Sequence, residues 1–253
     1  AQPLTRKPEW CYSMKKPYGV AVIINIKQFE EQLNFDNREG SDDDVENLKR
    51  LWNELGFTVT INVDSTTADK IYIFLKQVAA QINANTEDSS CFVCCIMTHG
   101  NMGKIYGSDS KSLDIKTITD IFKRNNCGAL AGKPKLFFIQ ACRGSNQLPA
   151  AARDADYERK NNSDFLKRAN PNEINFLIGY STVPRYVSYR HVKDGSWYIY
   201  ALCEIFRRHH KHEDVTSMMT RVNNKVQNQK HGESGVIQCP APVATLTRKI
   251  YFD

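Results

Sequence analysis

At 253 residues, with 41% hydrophobic and 25% charged content, the chain suits one large or two small globular domains and is excluded from the class of fully disordered proteins. Its longest apolar runs, Gly19 to Ile24 and Leu136 to Ile139, are far too short to span a bilayer, and residues 1 to 18 lack a signal-peptide core, so a soluble, cytoplasmic protein with no membrane partner is expected. The net charge of +6 comes from 34 basic residues interleaved with 28 acidic ones, without the aromatic-studded basic stripe that a nucleic-acid partner would need.

The chain begins at Ala1, which points to processing or trimming. Gly19 to Asn25 is a short apolar run rich in Val and Ile, the pattern of a strand buried on both faces. Ser41 is placed to cap a helix, Asp42, Asp43 and Asp44 lie at its positive end, and Val45, Leu48, Leu51, Trp52 and Leu55 form a stripe that Gly56 terminates. The acidic triplet reads as stabilisation of that helix start and not as a metal site. Thr58 to Val63 alternates like a strand, and Thr67 to Ile82 carries Ile71, Phe74, Leu75, Val78 and Ile82 at helical spacing. Cys91 to Met97 is another buried strand, Ile115 to Arg124 a helix, and Lys135 to Ile139 a further strand.

Ser145 to Asn172 is polar and aperiodic and reads as an exposed, mobile linker. Order resumes with a strand at Phe176 to Tyr180, a helix from about Ser196 to His210, a second helix carrying Val215, Met218, Met219 and Val222, and a closing strand around Val243 to Phe252. Right-handed crossovers then require an α/β fold, a mainly parallel six-stranded sheet with helices on both faces. The part after the linker completes the same sheet, so residues 1–253 are expected to form a single domain. Eight cysteines at uneven spacings read as free thiols of a reducing compartment and not as a disulfide framework. Cys91 and Cys94, three apart on a strand, face opposite sides and cannot clip a metal; no metal and no cofactor is expected.

Gln140, Ala141, Cys142, Arg143 and Gly144 place one cysteine just past a buried strand, and His99 with Gly100 follows another. Open α/β sheets build their sites at the carboxyl ends of strands, so two residues distant in sequence are brought to one edge. A thiol needs a nearby base to become a thiolate, and the oxyanion formed by its attack needs donors. Cys142, His99 and a glycine amide supply that minimum for a cysteine protease.

The likeness extends further. Arg38, Glu39, Gly40, Ser41 and Asp42, the turn Thr98, His99 and Gly100, the cysteine pentapeptide, Tyr180, Ser181 and Thr182, then Ser188, Tyr189 and Arg190 followed by Lys193, Asp194, Gly195, Ser196 and Trp197, resemble the catalytic region of the caspase family over nearly the whole chain. The resemblance implies a caspase-like three-layer sandwich with a large-subunit portion 1–144, an intersubunit linker 145–172 and a small-subunit portion 173–253. It implies an aspartate-specific endopeptidase of apoptotic or related signalling, made as a zymogen and acting on protein substrates with exposed Asp-containing loops. A homodimer through the last strand is implied as well.

Carried over by position, the resemblance makes Cys142 the nucleophile, His99 the acid and base, the amides of Gly100 and Cys142 the oxyanion hole, and the carbonyl of Asp36 the group that orients the histidine. Arg38, Gln140 and Arg190 would line the pocket for the substrate aspartate, where two guanidiniums suit one carboxylate. Ser188 with Arg190 would meet the substrate backbone. Val187 and Tyr189 stand where executioner members carry larger aromatics, which implies a roomier second subsite, and the loop from Gln227 to Gly235 is shorter than theirs. Asp154, Asp156 and Asp164 are the candidate processing positions in the linker. Two rival readings are a catalytically silent scaffold or regulatory dimerisation partner, which the presence of both His99 and Cys142 opposes, and a peptidase cutting after basic residues, which would need acids where Arg38 and Arg190 stand.

Overall fold

The computed structural model of the chain describes residues 10–30, 35–62, 66–85, 89–144, 148–149, 174–191, 195–229 and 236–253. Along the first half, β1 (Val20–Asn25), α1 (Ser41–Leu55), β2 (Thr58–Asn62), α2 (Ala68–Ala84) and β3 (Phe92–Met97) alternate. The small strands β4 (Gly100–Asn101), β5 (Lys104–Tyr106) and β6 (Ser112–Asp114) lead to α3 (Ile115–Ile121) and β7 (Lys135–Gln140). There follow β8 (Leu148–Pro149), β9 (Phe176–Tyr180), β10 (Arg190–His191), β11 (Gly195–Ser196), α4 (Trp197–His209), α5 (Val215–Gln227), β12 (Val236–Ile237) and β13 (Ala241–Ala244).

Six strands form the central sheet in the order β13-β9-β7-β3-β1-β2. All pairings are parallel except that of β13 with β9. Every residue of β3 and β7 is buried, as expected of central strands covered on both faces. Side-chain alternation divides the core in two. Ala21, Ile23, Cys91, Cys95, Leu136 and Phe138 pack with Leu48, Trp52, Leu202 and Met218 under α1, α4 and α5. Val22, Ile24, Cys94, Ile96, Phe137 and Ile139 pack with Ile71, Leu75 and Ile118 under α2 and α3. Cys91 and Cys94 accordingly occupy opposite faces, and all eight cysteines are free. Among the described residues no helix is long and apolar enough to cross a membrane.

Several boundaries differ from the sequence reading, each for a physical reason. Gly40, at φ 77°, is the N-cap of α1 without a side-chain cap; Ser41 is fully buried instead, its hydroxyl accepting a bond from Asn25 Nδ2 at 3.0 Å. The closing strand is only Ala241–Ala244. Ile250 and Phe252 read as strand residues because they are apolar, but they are buried against the α1 face, Phe252 beside Tyr18, Trp52 and Phe57. Pro242 is accommodated in β13 because that strand is the sheet edge. Within the expected linker, β8 pairs antiparallel with β12; its remainder, with Asp154, Asp156 and Asp164, lies outside the described residues.

Lys135 opens β7 and is 3% exposed. Its ammonium donates to Lys133 O at 2.8 Å and Leu130 O at 3.3 Å, and lies 4.8 Å from the Phe176 ring centre. Burial lowers its pKa from 10.5 to about 8. Between those values the unfolded chain holds a proton that the folded chain has released, so this residue's contribution to stability rises with pH. Relative to Lys135→Met, the wild type should gain about 3 kcal/mol of unfolding free energy between pH 8 and pH 10.5 in urea titrations; a difference independent of pH would contradict it.

Candidate active site

The register of the sheet brings the two candidate reacting residues together. Met97 at the end of β3 pairs with Gln140 at the end of β7, and Thr98 N donates to Gln140 O at 3.1 Å. The two chains therefore leave the sheet side by side, with His99 and Cys142 each two residues beyond that last pair. Gly100 turns next into β4. A Cβ there would stand 2.9 Å from Ala141 Cβ, 2.9 Å from Cys142 O and 2.8 Å from Lys104 O, so only glycine lets the two segments come this close.

His99 is gripped by aromatic rings. Phe35 stacks on it at 4.9 Å between centres and 13° between planes, and Phe29 lies tilted at 4.7 Å. Its Nε2 is 2.7 Å from Asp36 O. A carbonyl only accepts, so Nε2 carries the proton and Nδ1 is the basic nitrogen of the neutral ring. Cys142 is partly buried, and its Sγ accepts from Ser188 N at 3.5 Å. The backbone just before it is clamped: Ala141 N donates to Ser181 Oγ at 3.3 Å, while Ser188 Oγ, 2.6 Å from Ser181 Oγ, donates to Ala141 O at 3.1 Å.

The same sheet edge gathers buried polar groups. Arg38 is 2% exposed, its Nη1 donating to Asn25 Oδ1 at 2.8 Å and to Ile26 O at 3.1 Å. Asn25 ends β1 level with Met97, which is level with Gln140. Alternation puts Asn25, Met97 and Gln140 on the α1 face, and Gln140 is 3% exposed, its Oε1 without a partner among the described residues. The backbone of Arg190 pairs with Ser196 in the β10–β11 hairpin. Val187 and Tyr189 are partly buried, and the Tyr189 ring lies 5.3 Å from that of Trp197. Burial, then the nearby charge of Cys142, raises the Tyr189 pKa.

The family model described as Caspase domain matches residues 18–251. The chain belongs to the caspase family. It is 37% identical over 262 residues to Caspase-8 of Mus musculus, covering 98% of this chain and 54% of that protein. It is 37% identical over 257 residues to Caspase-7 of Gallus gallus, covering 97% and 81%, and 36% identical over 248 residues to Caspase-3 of Felis catus, covering 95% and 86%. The chain thus spans about half the length of the Caspase-8 relative and most of the other two.

Two further residues of this caspase fold support the site: Gln238 carries no motif signal that would reveal it, and Arg143 stands in the cysteine pentapeptide but had no role assigned from sequence. Gln238, 1% exposed, accepts from Tyr189 N at 2.6 Å and donates to Ser181 O at 2.7 Å, holding the Ser188–Tyr189 loop against the Ser181 strand end. Arg143, 8% exposed, lies 4.0 Å over the Tyr180 ring and donates to Thr182 O at 3.4 Å; burial lowers its pKa. Ser181 was visible as part of a family motif, but its clamp on Ala141 depends on β9 lying beside β7. Gly100→Ala should lower the unfolding free energy by about 1–3 kcal/mol through overpacking and slow peptide-resolved iodoacetamide alkylation of Cys142. An unchanged urea midpoint would contradict the close approach.

Proposed function

We propose that the chain is a cysteine endopeptidase cleaving after aspartate in protein substrates, within apoptotic or related signalling. The observation that carries this reading is the close approach of the His99–Gly100 turn to Ala141 and Cys142 beside a buried arginine. Nδ1 of His99 takes the proton of the Cys142 thiol, and the sulfur attacks the scissile carbonyl carbon. The oxyanion is held by the amides of Gly100 and Cys142. Collapse breaks the C–N bond as His99 protonates the leaving amine, which leaves a thioester; water, deprotonated by His99, releases the acid and restores the thiol. The Asp36 carbonyl keeps Nε2 protonated throughout, so no third side chain is needed to orient the ring.

Arg38, Gln140 and Arg190 form the pocket for the substrate carboxylate, Ser188 and Arg190 meet the substrate backbone, and Val187 and Tyr189 border a second subsite that takes larger apolar side chains. Maturation proceeds by cleavage of the linker at Asp154, Asp156 or Asp164, and two copies pair through β13, the outer edge of the sheet. A neutral amide leaves buried guanidiniums uncompensated, which costs about 3–5 kcal/mol. Matched peptides with Asn in place of Asp should therefore be cut some hundreds to thousands of times more slowly, about the factor those energies give, with Cys142→Ala inactive on both. Comparable rates would refute the pocket, and preference for Arg peptides would transfer the chain to a different specificity. Mass spectrometry of incubated protein should find cuts after Asp within 145–172; an intact linker beside an active Cys142 would remove self-processing.

A further inference from the structure

Of the three consecutive acids at the start of α1, Asp42 and Asp43 are exposed, and Asp42 pairs with Lys27 at 2.6 Å. Asp44 is 1% exposed and does something different. Its Oδ1 accepts from Ser196 N at 2.9 Å and its Oδ2 from Ser196 Oγ at 2.5 Å, across 152 residues of chain. Gly195 has φ +75°, and a Cβ on it would lie 2.4 Å from Asp44 Oδ1; this glycine is required both by backbone conformation and by the carboxylate pressed against it. Ser196 stands at the N-cap of α4, where serine ordinarily accepts a bond from the first turn, yet it makes no such cap. Its hydroxyl donates to Asp44 instead. A local rule is given up here for a long-range contact, which is the signature of a constrained site.

We propose that Asp44 is a positioning residue for the aspartate pocket, tying the segment that carries Arg38 to the hairpin that carries Arg190. The inference rests on the proposed roles of those two arginines. On one side, Arg38 lies three residues before α1, accepts at its carbonyl from Ser41 N at 3.2 Å, and is joined through Asn25 to Ser41 Oγ. On the other, Ser196 of β11 pairs with Arg190 of β10. Each of these strands is only two residues long, too short to hold its own place. Asp44, one turn into α1, is the hydrogen-bonded link between the two. Its charge is favoured by the helix start and by the charge-assisted bonds it accepts.

Asp44→Asn keeps the shape and one acceptor but loses the charge. In this variant kcat/KM for an Asp peptide should fall by about tenfold to a hundredfold, the worth of a charge-assisted hydrogen bond. The fall should sit mainly in KM, and the Asp-over-Asn discrimination should shrink with it. Alkylation of Cys142 by iodoacetamide should keep its wild-type rate, since neither Cys142 nor His99 is touched. Ser196→Ala, which removes one of the two bonds, should move the same ratio in the same direction by less, and it carries the test if Asp44→Asn does not fold. A merely structural role would lower the unfolding midpoint or the active fraction and slow both peptides equally; an unchanged Asp-to-Asn ratio in a wild type that does discriminate overturns this proposal alone. A wild type that does not discriminate overturns the pocket and this proposal together.

Discussion

The parallel pairing of β3 with β7 sets Met97 level with Gln140, and both strands end there. The residues that follow share a few ångströms of sheet edge, so their chemistry is decided by which side chains the next two positions supply. Neither His99 nor Cys142 reaches the other through flexibility. They are delivered by two fully buried strands whose register cannot slip, because a one-residue shift would turn Leu136 and Phe138 out of one core layer and Phe137 and Ile139 out of the other. The absence of a Cβ at Gly100 then sets how near the two turns come.

Burying charge at this edge is expensive, and the fold meets the cost differently at each place. Arg38 is held by a side-chain amide and a backbone carbonyl. Arg143 lies on an aromatic face, and Asp44 accepts an amide and a hydroxyl from one residue. At the opposite end of β7, Lys135 is satisfied by two carbonyls and pushed toward neutrality. Only the first three border the edge that carries His99 and Cys142.

A second layer of order comes from loops with little regular structure. The Ser188–Tyr189 segment has no long strand to anchor it, so it is fixed by Ser181, Gln238 and the sulfur of Cys142 itself. Individual hydrogen bonds place this segment, whereas the ladder of paired strands places the sheet beneath it.

Period and composition determined the sheet and its helices, since burial on two faces demands the continuous apolar runs seen at β1, β3 and β7, and one-sided burial demands the stripe of α1. The spacing of His99 and Cys142 past such runs made their juxtaposition legible without a structure. What stayed hidden depends on contacts between segments far apart in the chain. The triplet at 42–44 looks uniform in sequence, but a helix turn sends Asp44 inward to Ser196 while Asp42 and Asp43 face solvent. Ile250 and Phe252 look like strand residues, but the core under α1 needed filling and took them without a ladder. Gln238 has no motif at all, and its place beside Ser181 follows from the start of β13 meeting the end of β9. Apolar patterning is local and so belongs to the sequence; the partner of a buried polar atom is chosen by tertiary geometry.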